Sequence, residues 1–160
     1  MALGDNTLRS AAGNSQRGRN PYMVQTTLNW ATALSDKGTA LAAADVVPVI
    51  AVPKGTMVLN AGIEVDTQTD GSTFTVDLGM VDPDVFVDGF DATSAAGVVA
   101  QNPAAYQPVM AVADDNIDVT IATLSGGAVS SGKFRIWAVL MDCTDMGDTA
   151  ADEVDRDALA

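Results

Sequence analysis

The stretch "SGGAVSSGKF", residues 125–134, spaces Gly127, Gly132 and Lys133 as a nucleotide-binding loop spaces its two glycines and its lysine. Shortly after Lys133, the apolar run "WAVLMD" ends in Asp142, where such a protein would hold magnesium. A phosphate loop works because it opens a helix whose N-terminal amides face the phosphates, with a hydroxyl after the lysine to bind the metal. Here Phe134 follows the lysine, and "FRIWAVLMD" is a β-rich run. The stretch therefore reads as a Gly/Ser hairpin loop joining the strands "NIDVTIATL" and "KFRIWAVLMD".

The other reactive residue types fail in similar ways. "DPDVFVDGFD", residues 82–91, offers Asp82, Asp84, Asp88 and Asp91 as hard oxygen donors for calcium. A calcium-binding helix-loop-helix would need other residues at Phe86, Val87 and Thr93, so the stretch reads as a turn-rich β loop whose Phe86 and Phe90 enter the core. There is no histidine to serve as a base, and Glu64 lies between Ile63 and Val65 on a strand, pointing to solvent. Cys143, the single cysteine, has no cationic neighbour to stabilise a thiolate. One cysteine without histidine also excludes an internal disulfide and the usual zinc sites. No catalytic residue, cofactor site or metal site is assigned, and the chain is not expected to be an enzyme. Trp30, Trp137, Tyr22 and Tyr106 are too few for a carbohydrate-binding platform, and Trp137 reads as core or interface.

The elements that carry these residues are short and β-branched. "ADVVPVIAVP", "TMVLNAGIEVDT", "STFTVDLG", "AYQPVMAV", "NIDVTIATL" and "KFRIWAVLMD" are each bounded by turn residues. Phe74, Val76 and Leu78 alternate with Thr73, Thr75 and Asp77, and Ile117, Val119 and Ile121 alternate with Asp118 and Thr120. Such alternation buries one face of a strand and wets the other. Phe134, Ile136 and Ala138 oppose Arg135, Trp137 and Val139, which predicts a last strand covered on both faces. Gly62 inside "VLNAGIEV" predicts a bulge or bend. "TALSDKGTALAAAD" is the only plausible helix. Six or more short strands imply an antiparallel sandwich or barrel.

The 160 residues suffice for one domain, 48% of them are hydrophobic, and the net charge is −13. So acidic a chain is repelled by nucleic acid, whose binding needs cations on the phosphates. The longest apolar stretch, "VVPVIAV", is too short to span a membrane, and no secretory signal is visible at the N-terminus. Charge divides the chain into three zones. Residues 1–30, with Arg9, Arg17 and Arg19 against Asp5 alone, read as an extended N-terminal arm. Residues 31–143 form the β-sandwich domain. Residues 144–160 are an acidic C-terminal tail in which Arg156 is the only cation.

"AVPKGTMVLNAGIEVDT", "DLGMVDPDVFVDGFD" and "NIDVTIATLSGGAVSSGKFRIWAVLMD" together resemble the head decoration, or cement, proteins of tailed bacteriophages, which are β-sandwiches of jelly-roll type. The shared features are a "P-x-G-T-x-V" strand opening, a G-x-x-V-x-T bend, a "DPD-x-F-x-DG" loop and a final "K-x-R-x-W-A-V" strand, over about residues 45–143. The resemblance implies an all-β, antiparallel jelly-roll-like sandwich without a catalytic motif. It also implies a homotrimer on the outer surface of an icosahedral capsid, bound to the major capsid protein and made in the host cytoplasm. A chain of charge −13 suits the outside of a DNA-filled shell. In such a protein Arg9, Arg17 and Arg19 would grip carboxylates of the capsid or another partner, and Tyr22, Met23 and Trp30 would anchor the arm where it joins the sandwich. The competing function class is a head-fibre or adhesin-like module that binds carbohydrate or a receptor.

Overall fold

The computed structural model describes residues 20–103 and 107–143. Among the described residues, nine strands and one helix follow in chain order: β1 (Tyr22–Asn29), α1 (Trp30–Lys37), β2 (Val46–Val52), β3 (Thr56–Thr67), β4 (Thr73–Gly79), β5 (Val87–Asp91), β6 (Val99–Gln101), β7 (Val109–Met110), β8 (Asp115–Ser125) and β9 (Lys133–Asp142). They build two sheets. One has the order β1-β9-β3-β6, with β7 also paired to β3, and the other has the order β2-β8-β4-β5. Every pairing is antiparallel.

The pairing follows a simple rule. The first strand meets the last, β2 meets β8, β3 meets the interrupted return strand β6 and β7, and β4 meets β5. A long two-stranded ribbon, closed at the β4–β5 turn and wound over itself, gives this arrangement, and it is the jelly roll. The sandwich expected from the sequence is therefore observed.

Alternation explains how the two sheets meet. Phe74, Val76 and Leu78 of β4 and Ile117, Val119 and Ile121 of β8 are buried from one side. Val58, Ile63 and Val65 of β3 and Phe134, Ile136, Ala138 and Leu140 of β9 are buried from the other. Trp30 joins the two layers, with its ring edge-on to Phe74 at 4.9 Å and to Phe134 at 5.6 Å. It has no exposed surface. Truncating an aromatic side chain at such a place costs about 3–5 kcal/mol. Phe86 and Phe90 are buried as the sequence predicts.

Helix α1 begins where Asn29 Oδ1 accepts the Ala31 amide at 3.0 Å, an ordinary N-cap. Gly38 ends it in the left-handed conformation, its N–H donating to Leu34 and Ser35 carbonyls. The helix thus starts and stops earlier than the stretch beginning at Thr32 implied, because the cap signals lie at Asn29 and Gly38.

Three further expectations are corrected. The expected arm of residues 1–30 includes an ordered strand: β1 pairs along its whole length with β9, from Tyr22 opposite Leu140 to Asn29 opposite Lys133. Its polar composition fits an edge strand: Tyr22, Val24, Thr26 and Leu28 share the inward side, and of these only Leu28 is buried. The described residues of "AYQPVMAV", 107–112, include only the two-residue strand β7. The Gly/Ser loop is not a hairpin, since β8 and β9 belong to different sheets. It is a crossover tied to the β3–β4 connection: Asp70 accepts the Ser130 and Ser131 amides at 2.9 and 3.0 Å and the Ser130 hydroxyl at 2.5 Å. Gly132, at φ 120°, passes so close to Thr69 that a side chain would not fit.

Candidate interaction faces

The phosphate-loop residues come first. Gly127 and Gly132 lie in the crossover, and Lys133 opens the strand β9 where a phosphate loop would open a helix. Lys133 and Asp142 stand at opposite ends of one strand, so they do not converge. The four aspartates of residues 82–91 do not gather either: among the described residues, no group of three acidic, histidine or cysteine side chains is placed to hold a metal ion. Asp77 instead accepts the Gly89 amide at 2.7 Å, and Asp91 accepts the Thr93 amide and hydroxyl at 2.9 and 2.7 Å. Those bonds hold the Asp91 carboxyl below its usual range. Asp82 is raised, first through its hydrogen bond with the Asp84 carboxyl and then by that group's charge. Among the described residues, no helix is long and apolar enough to cross a membrane.

What remains is surface, and the two outer faces of the sandwich differ in chemistry. Residues opposite each other in antiparallel strands share a face. On the outside of the sheet containing β9, one row runs Met141, Met57, Met110 across β9, β3 and β7. The next pairs Met23 with Val139. The third places Trp137 between Gln25 and Gly62. Met23 is 63% and Met110 39% exposed, while Met57, Met141, Val139 and Trp137 are half-buried. The last strand is therefore apolar on both sides, as its sequence implied, yet its outer side is only partly covered.

Gly62 has its explanation here. The β3 ladder does shift register, but at Val58/Asn60 and Val65/Thr67, on either side of this residue. Gly62 itself stays in register, and a Cβ there would collide with the Trp137 ring and lie 2.8 Å from the Ala100 carbonyl. The glycine seats an indole rather than bending the strand.

At one end of this face the charged side chains cancel. Arg135 contacts Glu64 at 3.2 Å and Asp66 at 3.6 Å, so Glu64 points outward as expected but into an ion pair. Lys133, two residues before Arg135 on the same side of β9, brings this end to two cations and two carboxylates. At the other end, Met110 continues into an open groove of about 420 Å³ lined by Met80, Val81, Val85, Val109 and Val112, with Asp82, Asp114 and Asp115 among its lining residues. Val81 and Val112 are 90% and 80% exposed.

The opposite sheet presents Thr73, Thr75, Asp77, Asn116, Asp118 and Thr120 outward. Its four strands carry five aspartates and no lysine or arginine. Asp118 is raised above the ordinary carboxylate range, by burial first and then by the Asp115 charge.

Of the residues assigned to partner contact from the sequence, Arg9, Arg17 and Arg19 lie outside the described residues, as does Tyr106. Tyr22 is 46% exposed at the start of β1, and Met23 turns onto the methionine face. Trp30 is fully buried, so it anchors β1 to the core and offers no contact surface. Sequence reasoning missed the methionine row. Its members sit on three strands, and only the register brings them together.

No protein-family model matches the chain, and no curated protein is significantly similar to it in sequence. Solved structures do share its fold. A chain of the cyanophage Pam1 capsid asymmetric unit is similar with a TM-score of 0.60 at 16% identity, covering 88% of this chain and 97% of that one. A chain of the capsid of Ralstonia phage GP4 gives 0.55 at 17% identity, covering 79% and 86%. A chain of the acidic stable capsid structure of Helicobacter pylori bacteriophage KHP30 gives 0.52 at 14% identity, covering 76% and 86%.

Proposed function

We propose that this chain is a structural, non-catalytic virion protein that decorates the outside of an icosahedral phage capsid and cements it, as a homotrimer bound to the major capsid protein. The observation that carries the reading is the fold itself: the same wound sandwich spans most of the length of chains from three phage capsid structures. The surface chemistry supports it. A strongly acidic chain with a neutral, apolar outer face is equipped to join other proteins and poorly suited to DNA.

In this reading the segment before Tyr22 contacts the shell. Its Arg9, Arg17 and Arg19 form charge-assisted hydrogen bonds to carboxylates there, and contacts repeated by three linked subunits gain strength through effective concentration. The test is to mix purified full-length protein with undecorated shells of the phage that encodes it and image the particles. Density of this shape on the outer surface is expected. The reading fails if the protein does not bind the shells, or is found only inside them. Deleting residues 1–20 is expected to weaken binding sharply, and undiminished binding would remove the arm from the mechanism. Saturable binding of the free protein to glycans or cell envelopes would favour the receptor-binding alternative.

A further inference from the structure

We propose that the outer face of the β1-β9-β3-β6 sheet, centred on Met23, Met57, Met110, Met141, Val139 and Trp137, is the surface through which copies of this chain pack on one another. The inference rests on the trimer reading above and names the surface that reading needs.

Charge selects the occupant. A chain of net charge −13 repels its own copies over most of its surface. On the opposite sheet, Asp77, Asp91 and Asp118 would meet carboxylates of the second copy with no cation on those strands to offset them. Over the methionine rows no net charge stands to repel a second copy, because the charged side chains around Arg135 cancel and Asp82, Asp114 and Asp115 lie beyond Met110 in the groove. A basic partner would be drawn to the acidic sheet instead. The neutral face therefore suits another acidic chain, and a second copy is such a chain.

Size and side-chain type agree. Strand spacing of about 4.8 Å over four strands and a rise of about 3.4 Å per residue give the three rows an extent of roughly 20 by 20 Å. Such a face supplies much of one side of a standard interface, about 800 Å² per partner. Past Met110 the apolar side chains continue to Val81 and Val112 in the groove, where Asp82, Asp114 and Asp115 mark the edge of the neutral face. Contiguous apolar exposure of this kind marks interaction sites, and methionine adapts its shape to whatever covers it.

The test uses the full chain and compares Met23→Lys/Met110→Lys with Thr75→Lys/Thr120→Lys, which places the same charges on the acidic sheet. Sedimentation equilibrium should show the wild type and the second variant as trimers, and the first variant associating at least tenfold more weakly. Circular dichroism establishes that each variant is folded. On the unaltered chain, peroxide should oxidise Met23 and Met110 slowly when the protein is concentrated and faster on dilution, as the interface opens. A wild type that stays monomeric at every concentration overturns the trimer reading and this surface with it. A trimer that survives the methionine substitutions, or oxidation independent of concentration, overturns the surface alone.

Discussion

The two sheets of this sandwich are alike from inside and unlike from outside. Phe74, Val76 and Leu78 on β4 do the same work as Phe134, Ile136 and Ala138 on β9: each set of alternate residues closes one side of a common core. Outward, β4 and β8 carry threonine and aspartate, whereas β9 and β3 carry methionine, valine and a tryptophan seated on glycine. A jelly roll needs only its inward positions to fold. The outward positions are free to be specialised, and here one face is acidic while the rows of the other carry no net charge.

The hardest way to break this contrast is at Gly62. Replacing it with valine forces side-chain atoms into the space of the Trp137 ring and against the Ala100 carbonyl, and such overpacking costs about 1–3 kcal/mol. Gly62→Val should therefore lower the denaturation midpoint and weaken association. Thr75→Val, at the middle of the acidic face, should stay within about 0.5 kcal/mol of the wild type. Equal stability of the two variants in denaturant titrations would show that the indole has room to move, and that the methionine face is not rigid.

A smaller effect is expected at the link between the faces. Asp70 holds the 126–132 crossover by accepting from Ser130 and Ser131, and its carboxyl is lowered to about 2, first by the Ser130 hydroxyl. Asp70→Ala should cost about 1 kcal/mol at neutral pH, toward the low end for bonds to a charged group because the site is exposed. The sign with pH is fixed. A depressed folded-state pKa adds stability that is present above the unfolded value of 3.8 and is lost as pH falls through about 2. The wild type and Asp70→Ala should therefore differ in melting temperature at pH 7 and converge near pH 2. A gap that stays constant over that range would mean the side chain acts only by packing.

Much of the architecture was legible before any coordinates, for physical reasons that also mark where legibility stopped. Alternation in β4 and β8 reports burial directly, because each inward residue is apolar and each neighbour polar. It does not report which strand lies alongside, so the 126–132 crossover looked like a hairpin. Edge strands carry the weakest signal of all: β1 buries only Leu28, and β6 has three residues in total. The apolar outer side of β9 was visible in "KFRIWAVLMD", yet the methionine row was not, since Met57, Met110 and Met141 are brought together only by register. The missing side chain of Gly62 is plain in the sequence, but the Trp137 ring it makes room for lies on the neighbouring strand and is set by register.

The finest test of the comparison is a single atom pair's worth of charge on the acidic face. Asp118 lies on β8 opposite Pro48 of β2 and Gly79 of β4, neighbours that offer its carboxylate no cation. Partial burial, followed by the Asp115 charge, raises its pKa. For an acid raised on folding, the native state holds the proton more tightly than the unfolded chain does. The resulting penalty is absent below the unfolded pKa, grows as pH rises through the folded value, and is complete above it. Asp118→Asn removes the charge and keeps the shape, so it should stabilise the protein at pH 7. The gain should be small, about 0.5 kcal/mol or roughly 1–2 °C in Tm, because much of the group remains in water. It should disappear below pH 3. Added salt should raise the wild-type Tm more than that of Asp118→Asn, since screening relieves only the chain that still carries the repulsion. A substitution that lowers Tm at pH 7 would mean this carboxylate has a favourable partner, and the outer face of this sheet would then be more than a shield of negative charge.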